Sequence, residues 1–243
     1  EKSVKTVVDK TSCDEDSARY TIKASTNTSV YIPYDIKTSN DDLKKGLDFL
    51  LEDTSKWNKV DAEKNFQSYK REVSGTSMVL VKSDYTLENT SAEDFYNIFW
   101  DLNNRKQWDE MAKDLKHVRS INESSDIISY YVSPPMMMVD DREFVVQRTV
   151  WRKFPEDNSM IFILKSVEDE ACPPTKGKVS GKVVIQAFFA REEGSNLCVS
   201  FVGQMNMGGS LPNWLVNKIA GSAPKKMADS LKKGLEKYRK NKK

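Results

Sequence analysis

From residue 115 to residue 205 the sequence runs through six strand-like segments in succession, with only short turns between them. The alternation is clearest between Phe144 and Trp151, where successive side chains are expected on opposite faces of a strand. Consecutive strands with short connections form an antiparallel meander. The predicted strands are residues 115–121, 127–132, 143–153, 159–167, 178–190 and 196–205.

A long amphipathic helix is predicted after the meander, over residues 211–239. Pro212 fits its first turn, where a missing backbone N–H costs nothing, and Pro224 predicts a kink. Its apolar stripe comprises Leu215, Ile219, Met227, Leu231, Leu235 and Tyr238. The stripe needs a concave apolar partner, which a curved antiparallel sheet provides, so the predicted class is α+β. An incomplete fit between sheet and helix would leave a pocket.

The first half of the chain supplies further elements. They are a helix capped by Asn40 or Asp41, strands at residues 66–73 and 78–87, a helix beginning at Ser91 and a short helix at residues 105–111. Residues 1–38 are polar and rich in serine and threonine, so we interpret them as an extension. One domain is predicted over residues 39–243.

Charge and motif content argue against several function classes. The 38 basic and 36 acidic residues leave a net charge of +2, too small for a nucleic-acid binder held by bulk charge. The three cysteines lack metal-ligand spacing, and the sequence has no phosphate-binding glycine loop and no nucleophile elbow. The single histidine, His117, lies in a strand-like run. We therefore predict no enzyme, no catalytic residue, no metal and no cofactor.

Several short motifs follow one another in a fixed order. They are residues 105–109 (RKQWD), residues 141–145 (DREFV) with Arg148 and residues 151–152, residues 166–167 with Pro173, residues 176–181 (KGKVSG) and residues 208–217 (GGSLPNWLVN). In this order the set resembles START domains, the StAR-related lipid-transfer family, and most of all the phosphatidylcholine-transfer branch, over roughly residues 40–240. The resemblance implies a helix-grip fold, in which the curved sheet wraps around the C-terminal helix and encloses a lipid tunnel.

The first motif contains a candidate anchor for a lipid head group. Arg105 and Asp109 are spaced i, i+4, so on a helix they share one face. The resemblance implies that this pair lies in the tunnel near the lipid phosphate. There the carboxylate would pair with the guanidinium, and a phosphate would accept the remaining N–H donors. The alternative is an exposed surface ion pair.

Two aromatic residues fall where the family surrounds a choline group, whose cation is attracted to ring faces. They are Tyr131 and Phe144, and Phe144 replaces a family tyrosine. Val202 and Gly203 stand where the family has a tyrosine pair. The resemblance therefore implies an incomplete head-group cage and a broader phospholipid range. The alternative is that both aromatic residues belong to an ordinary core.

Arg148 shares the alternation of Phe144 and Val146, so we expect it to face inward, where it needs a carboxylate or a ligand. In sterol-carrying relatives an acidic residue on the preceding strand pairs with the matching arginine. That position corresponds to Ser129 here, so Asp126 or the lipid head group would have to substitute. The alternative is an outward or edge position for Arg148.

The methionine-rich loop between two strands matches the family's gate beside the tunnel mouth. We predict Pro135, Met136, Met137 and Met138 as gate and membrane-contact residues, since methionine gives an adaptable apolar surface. Trp214, near the start of the last helix, is a second predicted membrane contact. The alternative for the loop and for Trp214 is packing within the fold.

We predict that the domain binds one phospholipid, phosphatidylcholine or a related lipid, in an internal tunnel and transfers it between membranes as a monomer. The alternatives are a lipid-sensing or interaction module and a sterol or sphingolipid carrier of the same fold. Without an apolar run long enough to span a bilayer, we expect a soluble protein that is peripheral at membranes. The chain begins at Glu1, so the sequence does not fix a removed targeting segment or the compartment, cytoplasmic or secreted after processing.

Overall fold

The computed structural model describes residues 20–23, 29–32, 40–76, 78–134 and 139–242. Strands β1 (Tyr20–Lys23) and β2 (Ser29–Ile32) pair antiparallel in a two-stranded sheet. Both fall in the segment that we interpret as an extension. That interpretation and the domain boundary at residue 39 stay predictions.

The remaining strands form one large curved sheet of ten strands. They are β3 (Asn58–Glu63), β4 (Phe66–Glu72), β5 (Val79–Leu87), β6 (Lys113–Asn122), β7 (Ser125–Val132), β8 (Arg142–Arg152), β9 (Ser159–Ser166), β10 (Val179–Ser180), β11 (Lys182–Glu193) and β12 (Asn196–Asn206). Their order is β3-β4-β5-β12-β11-β9-β8-β7-β6, with antiparallel neighbours, and β10 pairs parallel with β8. The predicted α+β class and curved antiparallel sheet are confirmed.

Within the large sheet, two strands were not predicted as separate strands, for a physical reason. β3 is an edge strand with mostly exposed side chains, so its sequence, NKVDAE, contains no buried alternation to detect. β10 has two residues and was included in one predicted strand over residues 178–190. The backbone N–H of Gly181 instead donates to the carbonyl of Glu143 at 2.9 Å, which separates β10 from β11.

Within the described residues the helices are α1 (Asp41–Leu50), α2 (Ala92–Trp100), α3 (Leu102–Arg105) and α4 (Asn213–Lys242). The predicted caps of the first two are present. The side chain of Asn40 accepts from the N–H groups of Asp42 and Leu43, and Ser91 accepts from the N–H of Asp94. Each cap satisfies backbone donors that the first helical turn leaves open.

The short helix begins earlier than predicted. Asp101 caps it by accepting from the N–H groups of Asn103 and Asn104, and it ends at Arg105. The prediction of a helix over residues 105–111 is therefore wrong. A turn follows, in which the N–H of Asp109 donates to the carbonyl of Arg105 at 2.9 Å, so the helical i, i+4 relation of these two residues is kept.

The sheet is covered on both faces. α1 packs on the face that we call outer, where Leu43 and Leu47 are fully buried against residues such as Ile161 and Ile163. Gly46 allows this contact, because a Cβ there would come within 2.3 Å of Ile163 Cδ1.

α2 and α4 lie on the opposite, inner face. Leu231 and Leu235 of the predicted stripe are buried there, as is Pro224 inside the helix. Gly234 faces Trp108 so closely that a Cβ would come within 2.6 Å of Trp108 Cβ. This contact fixes the turn after α3 beneath the C-terminal helix. In the described part of the chain, no helix combines the length and apolarity needed to cross a bilayer.

Candidate ligand-binding site

An apolar cavity of about 110 Å³ lies between α4 and the inner face of β5, β11 and β12. Its walls include Val79, Val81, Phe201, Met205, Ile219 and Met227. The ring of Phe201 lies over Gly203, where a Cβ would come within 2.6 Å of Phe201 Cζ. Pockets for drug-sized ligands have about 300–1,000 Å³. A whole lipid would therefore need α4 to move away from the sheet.

The predicted pair of Arg105 and Asp109 is formed and buried. Arg105 Nε donates to Asp109 Oδ2 at 2.9 Å, and the two side chains are 8% and 12% exposed. Asp109 Oδ1 also accepts from the backbone N–H groups of Met111 and Ala112 at 3.2 Å each. The alternative of an exposed surface pair is therefore wrong, whereas contact with a head group stays a prediction.

The guanidinium of Arg105 keeps a free donor. Its carbon lies 5.0 Å from the centre of the Phe99 ring. Its Nη1 is buried and has no hydrogen-bond partner among the residues that the structure describes. Buried donors without a hydrogen-bond partner are rare, because desolvation of such a group is not compensated. Among the features of the site, this unpartnered donor gives the clearest indication of an anionic ligand.

Tyr130, and not Tyr131, shares the inner face with Phe144. Tyr130 and Phe144 are paired across β7 and β8, and their rings stack with centroids 5.4 Å apart. Burial raises the pKa of the Tyr130 phenol to about 12, while Arg105 lowers it and Asp109 raises it. The phenol is thus close enough to the ion pair to sense both charges.

The prediction of Tyr131 as a head-group residue is wrong, because successive residues of a strand point to opposite faces. Tyr131 is half-buried on the outer face, where Lys178 Nζ lies 3.5 Å from the centre of its ring. Phe144 is 1% exposed on the inner face, in the main core cluster. A Cβ at Gly181 would come within 2.4 Å of the Phe144 ring, so this glycine gives the ring its space.

Arg148 faces inward as predicted, and its exposed fraction is 1%. It binds Asp126 through two bonds, from Nε at 2.8 Å and from Nη2 at 2.5 Å. Its Nη1 donates to the carbonyls of Phe99 at 3.3 Å and Trp100 at 3.1 Å, which end α2. Burial lowers the pKa of Arg148, and Asp126 opposes that shift.

The resemblance placed the family's acidic position at Ser129 and left Asp126 or the head group as the partner of Arg148, and the partner is Asp126. The register places Asp126 opposite Arg148, and Ser129 opposite Val145. Because Arg148 is committed to a carboxylate and to the end of α2, we interpret it as a residue that positions α2. This does not support the prediction that it binds the head group.

The predicted gate residues Pro135, Met136, Met137 and Met138 lie outside the described residues. On the flank of that loop, Ser133 Oγ donates to Asp141 Oδ1 at 2.6 Å. Arg142 is 3% exposed and donates to the carbonyls of Asp140 and, at 3.2 Å, of Met207. It therefore joins Asp140, which follows the predicted gate residues in the sequence, to the segment that leads into α4. Sequence reasoning quoted Arg142 in a motif but assigned it no role.

Trp214 is 58% exposed on the first turn of α4. The adjacent Leu215 is buried, so the helix packs through one side and presents the indole ring to solvent. Packing within the fold, the alternative for Trp214, is therefore wrong. Membrane contact by this residue stays a prediction.

The comparisons with known proteins agree with this architecture. The START domain family model matches residues 41–241. START domain-containing protein 10 of Homo sapiens is 28% identical over 141 residues, which are 56% of this chain and 47% of that protein. Phosphatidylcholine transfer protein of Mus musculus is 24% identical over 157 residues, which are 63% of this chain and 72% of that protein. The chain thus matches about half the length of the first of these relatives.

Solved structures share the fold. The crystal structure of human STARD10 superposes with a TM-score of 0.73 at 20% identity, covering 84% of this chain and 82% of that one. Human StAR-related lipid transfer protein 5 superposes with a TM-score of 0.75 at 18% identity, covering 84% and 97%. The sheet, the helices and the family model agree, and the chain belongs to the START domain family.

Proposed function

We propose that this chain binds a single phospholipid beneath α4 and carries it between membranes. The observation that carries the proposal is the unpartnered, buried Nη1 of Arg105 beside Asp109. A phosphate oxygen would accept from this donor in a charge-assisted hydrogen bond. The name of one relative, phosphatidylcholine transfer protein, supports a phospholipid as the ligand class.

The aromatic residues near Arg105 suit the cationic part of a zwitterionic head group. Tyr130 and Phe144 present stacked rings on the inner face, and ring faces attract quaternary ammonium groups. Neither Val202 nor Gly203 adds an aromatic ring to a cage, because Val202 is buried on the outer face and Gly203 has no side chain. The proposal therefore includes a range of head groups broader than choline alone.

Loading requires an opening, since the cavity of about 110 Å³ is smaller than a lipid. Gly208 and Gly209 precede α4 with φ of 65° and 59°, a conformation that favours glycine. Movement of α4 about this segment would expose the apolar walls. Arg142 joins the segment to Asp140, which follows the predicted gate residues in the sequence, so we propose that the gate and the helix open together.

Membrane contact would use the same end of α4. Trp214 is exposed, and Lys218, one turn further on, is exposed as well. Aromatic rings favour the interfacial zone of a bilayer, and each well-placed lysine adds about 1 kcal/mol of attraction to anionic lipid. We propose a transient contact by a monomer, because one chain contains the whole site.

The test is to incubate the purified chain with vesicles of mixed lipid composition and to identify the retained lipid by native mass spectrometry. We expect one phospholipid per chain. Arg105→Met keeps most of the side-chain volume but removes the donors, so phospholipid retention should fall by about tenfold or more. Arg119→Met is the matched control, since its guanidinium is 56% exposed and pairs with Asp169.

The outcomes separate the alternatives. A chain that stays empty, or that retains only sterol, would refute the phospholipid proposal. Undiminished retention by Arg105→Met would refute the anchor. Transfer of labelled phospholipid between two vesicle populations then distinguishes a carrier from a lipid-sensing module, because a sensor binds its lipid but transfers it slowly.

A further inference from the structure

Three residues at neighbouring positions of the inner face have buried hydroxyl groups without partners among the described residues. They are Ser68 on β4 and Ser83 and Tyr85 on β5, which are 1%, 0% and 3% exposed. Ser68 and Ser83 are directly opposite each other in the register, and Tyr85 follows Ser83 on the same face. None of the three hydroxyls has a hydrogen-bond partner in the part of the chain that the structure describes.

Such a cluster is unusual, because buried hydroxyls almost always have a hydrogen-bond partner. Three of them at neighbouring positions of two paired strands indicate a polar partner that the described residues do not supply. Burial raises the pKa of the Tyr85 phenol, so the phenol stays protonated and can donate a hydrogen bond. All three hydroxyls are uncharged donors, so they suit a neutral oxygen better than a phosphate, which binds most strongly to cationic donors.

The cluster continues the wall of the apolar cavity. Val79 and Val81 line the cavity from β5, and Ser83 and Tyr85 are the next residues on the same face of that strand. Phe201, opposite Ser83 on β12, also lines the cavity. A ligand that widened the cavity along β5 would reach the hydroxyls.

The cluster lies on a different part of the sheet from Phe144. β12, β11 and β9 lie between β5 and β8 in the sheet, and Phe144 is on β8. A lipid whose cationic head group lies at Phe144 would therefore meet the hydroxyls with its uncharged body. An unsubstituted hydrocarbon there would leave all three hydroxyls without a partner.

We propose that Ser68, Ser83 and Tyr85 form a second polar subsite, which binds a hydrogen-bond-accepting oxygen in the uncharged body of the lipid. The inference rests on the proposed function, since it requires a lipid beneath α4. Two parts of a lipid carry such an oxygen: the ester carbonyl that joins chain to glycerol, and a hydroxyl group on an acyl chain. Both offer the same acceptor chemistry.

The experiment compares matched lipids by equilibrium competition, with native mass spectrometry as the readout. In one arm, diacyl phosphatidylcholine competes with its diether analogue, which lacks ester carbonyls. In the other, phosphatidylcholine with a hydroxylated acyl chain competes with the same lipid without the hydroxyl. We expect the wild-type chain to prefer the oxygen-bearing lipid in one arm by about 2- to 10-fold, the effect of one hydrogen bond.

The variant S68A/S83A should lose that preference and bind both lipids of the pair alike. Ser200→Ala is the control, because its hydroxyl donates to Asp84 at the neighbouring strand and lies outside the cluster. The double variant removes hydroxyls that have no partner in the described residues. Its lipid-free melting temperature should therefore equal or exceed that of the wild type, which checks folding.

The ester arm or the chain-hydroxyl arm, whichever shows the preference, identifies the source of the oxygen. Equal binding in both arms by the wild type, with phospholipid still bound, would overturn the subsite and leave the proposed function intact. A preference that S68A/S83A retains would overturn it as well. Failure of the wild-type chain to bind any phospholipid would overturn both.

Discussion

The ion pair of Arg148 and Asp126 allows a quantitative test of how the inner face is held together. Asp126→Asn removes the balancing charge and keeps the size of the side chain. Arg148 is 1% exposed, so water cannot replace that charge. Removing one partner of a buried ion pair costs about 3–5 kcal/mol, whereas a domain has about 5–15 kcal/mol of stability in total. We expect Asp126→Asn to lower the free energy of unfolding by about 3–5 kcal/mol.

A double-mutant cycle separates the charge from other effects. Arg148→Met alone leaves Asp126 buried without a partner and removes the donor to the carbonyls of Phe99 and Trp100. In that background Asp126→Asn no longer leaves a charge unpaired, so its cost should fall to near zero or reverse. The coupling between the two changes should therefore be at least about 2 kcal/mol.

Urea denaturation at neutral pH, followed by tryptophan fluorescence, measures these free energies. The matched control is Glu93→Gln, which breaks the exposed pair that Arg152 makes between the same strand and the same helix. An exposed pair contributes about 0–1 kcal/mol. If Asp126→Asn costs no more than Glu93→Gln, or if the coupling is absent, the pair does not fix α2 to the sheet and the reasoning fails.

Three further changes test other contacts. Gly234→Ala places a Cβ within 2.6 Å of Trp108, so it should lower the free energy of unfolding by about 1–3 kcal/mol. Gly221→Ala on the same helix has room for a Cβ and should raise the free energy of unfolding by up to about 1 kcal/mol. Equal effects of the two changes in urea denaturation would contradict the packing of Gly234 against Trp108. Arg142→Gln removes the hydrogen bonds from the guanidinium to the carbonyls of Asp140 and Met207, so phospholipid exchange between vesicles should accelerate several-fold. An unchanged rate would contradict the proposal that the gate and α4 open together. Burial lowers the pKa of Lys82 from its ordinary 10.5, so the folded chain releases this proton at lower pH than the unfolded chain. In the wild type the free energy of unfolding should therefore rise as the pH rises towards 10.5, because the unfolded chain binds more protons, and this rise should be smaller in Lys82→Met. The same pH profile in both chains would contradict a lowered pKa of Lys82.

The sequence predicts the elements of this fold better than the faces of its strands. β8 alternates regularly, so Phe144 and Arg148 were expected inward, and both are buried there. β7 reads SDIISYYV, with two adjacent isoleucines and two adjacent tyrosines, and this pattern favours neither face. A shift of one residue exchanges Tyr130 for Tyr131. The cross-strand register that decides between them is a long-range property of the sheet.

Partners of buried charges were also hard to predict, and Asp126 was only one of two candidates named for Arg148. Asp126 is opposite Arg148 because of the β7–β8 register, and Arg142 contacts Met207, which is 65 residues further along the chain. Neither contact leaves a local spacing in the sequence. The Arg105 and Asp109 pair could be predicted because both residues lie within one turn, where i, i+4 spacing determines proximity.

The buried cations of the described residues differ in how many of their N–H donors form hydrogen bonds. Lys82 donates to the carbonyls of Leu50 and Glu52 at the end of α1, at 2.6 and 3.1 Å. Arg148 likewise donates to the carbonyls at the end of α2. On each face of the sheet, one buried cation therefore binds the C-terminal end of a helix. Such residues satisfy carbonyls that a helix end leaves open.

Two buried guanidinium groups retain an Nη1 without a hydrogen bond among the described residues, those of Arg191 and Arg105. In Arg191 that nitrogen still lies 4.0 Å from Glu156 Oε2, and Nη2 binds Glu193 at 2.7 Å. Arg105 has a single carboxylate, Asp109, which is bound through Nε. An arginine with a purely structural role is expected to use all of its buried donors, because a buried donor without a hydrogen bond costs free energy. This contrast is the physical basis for assigning the anionic part of the ligand to Arg105.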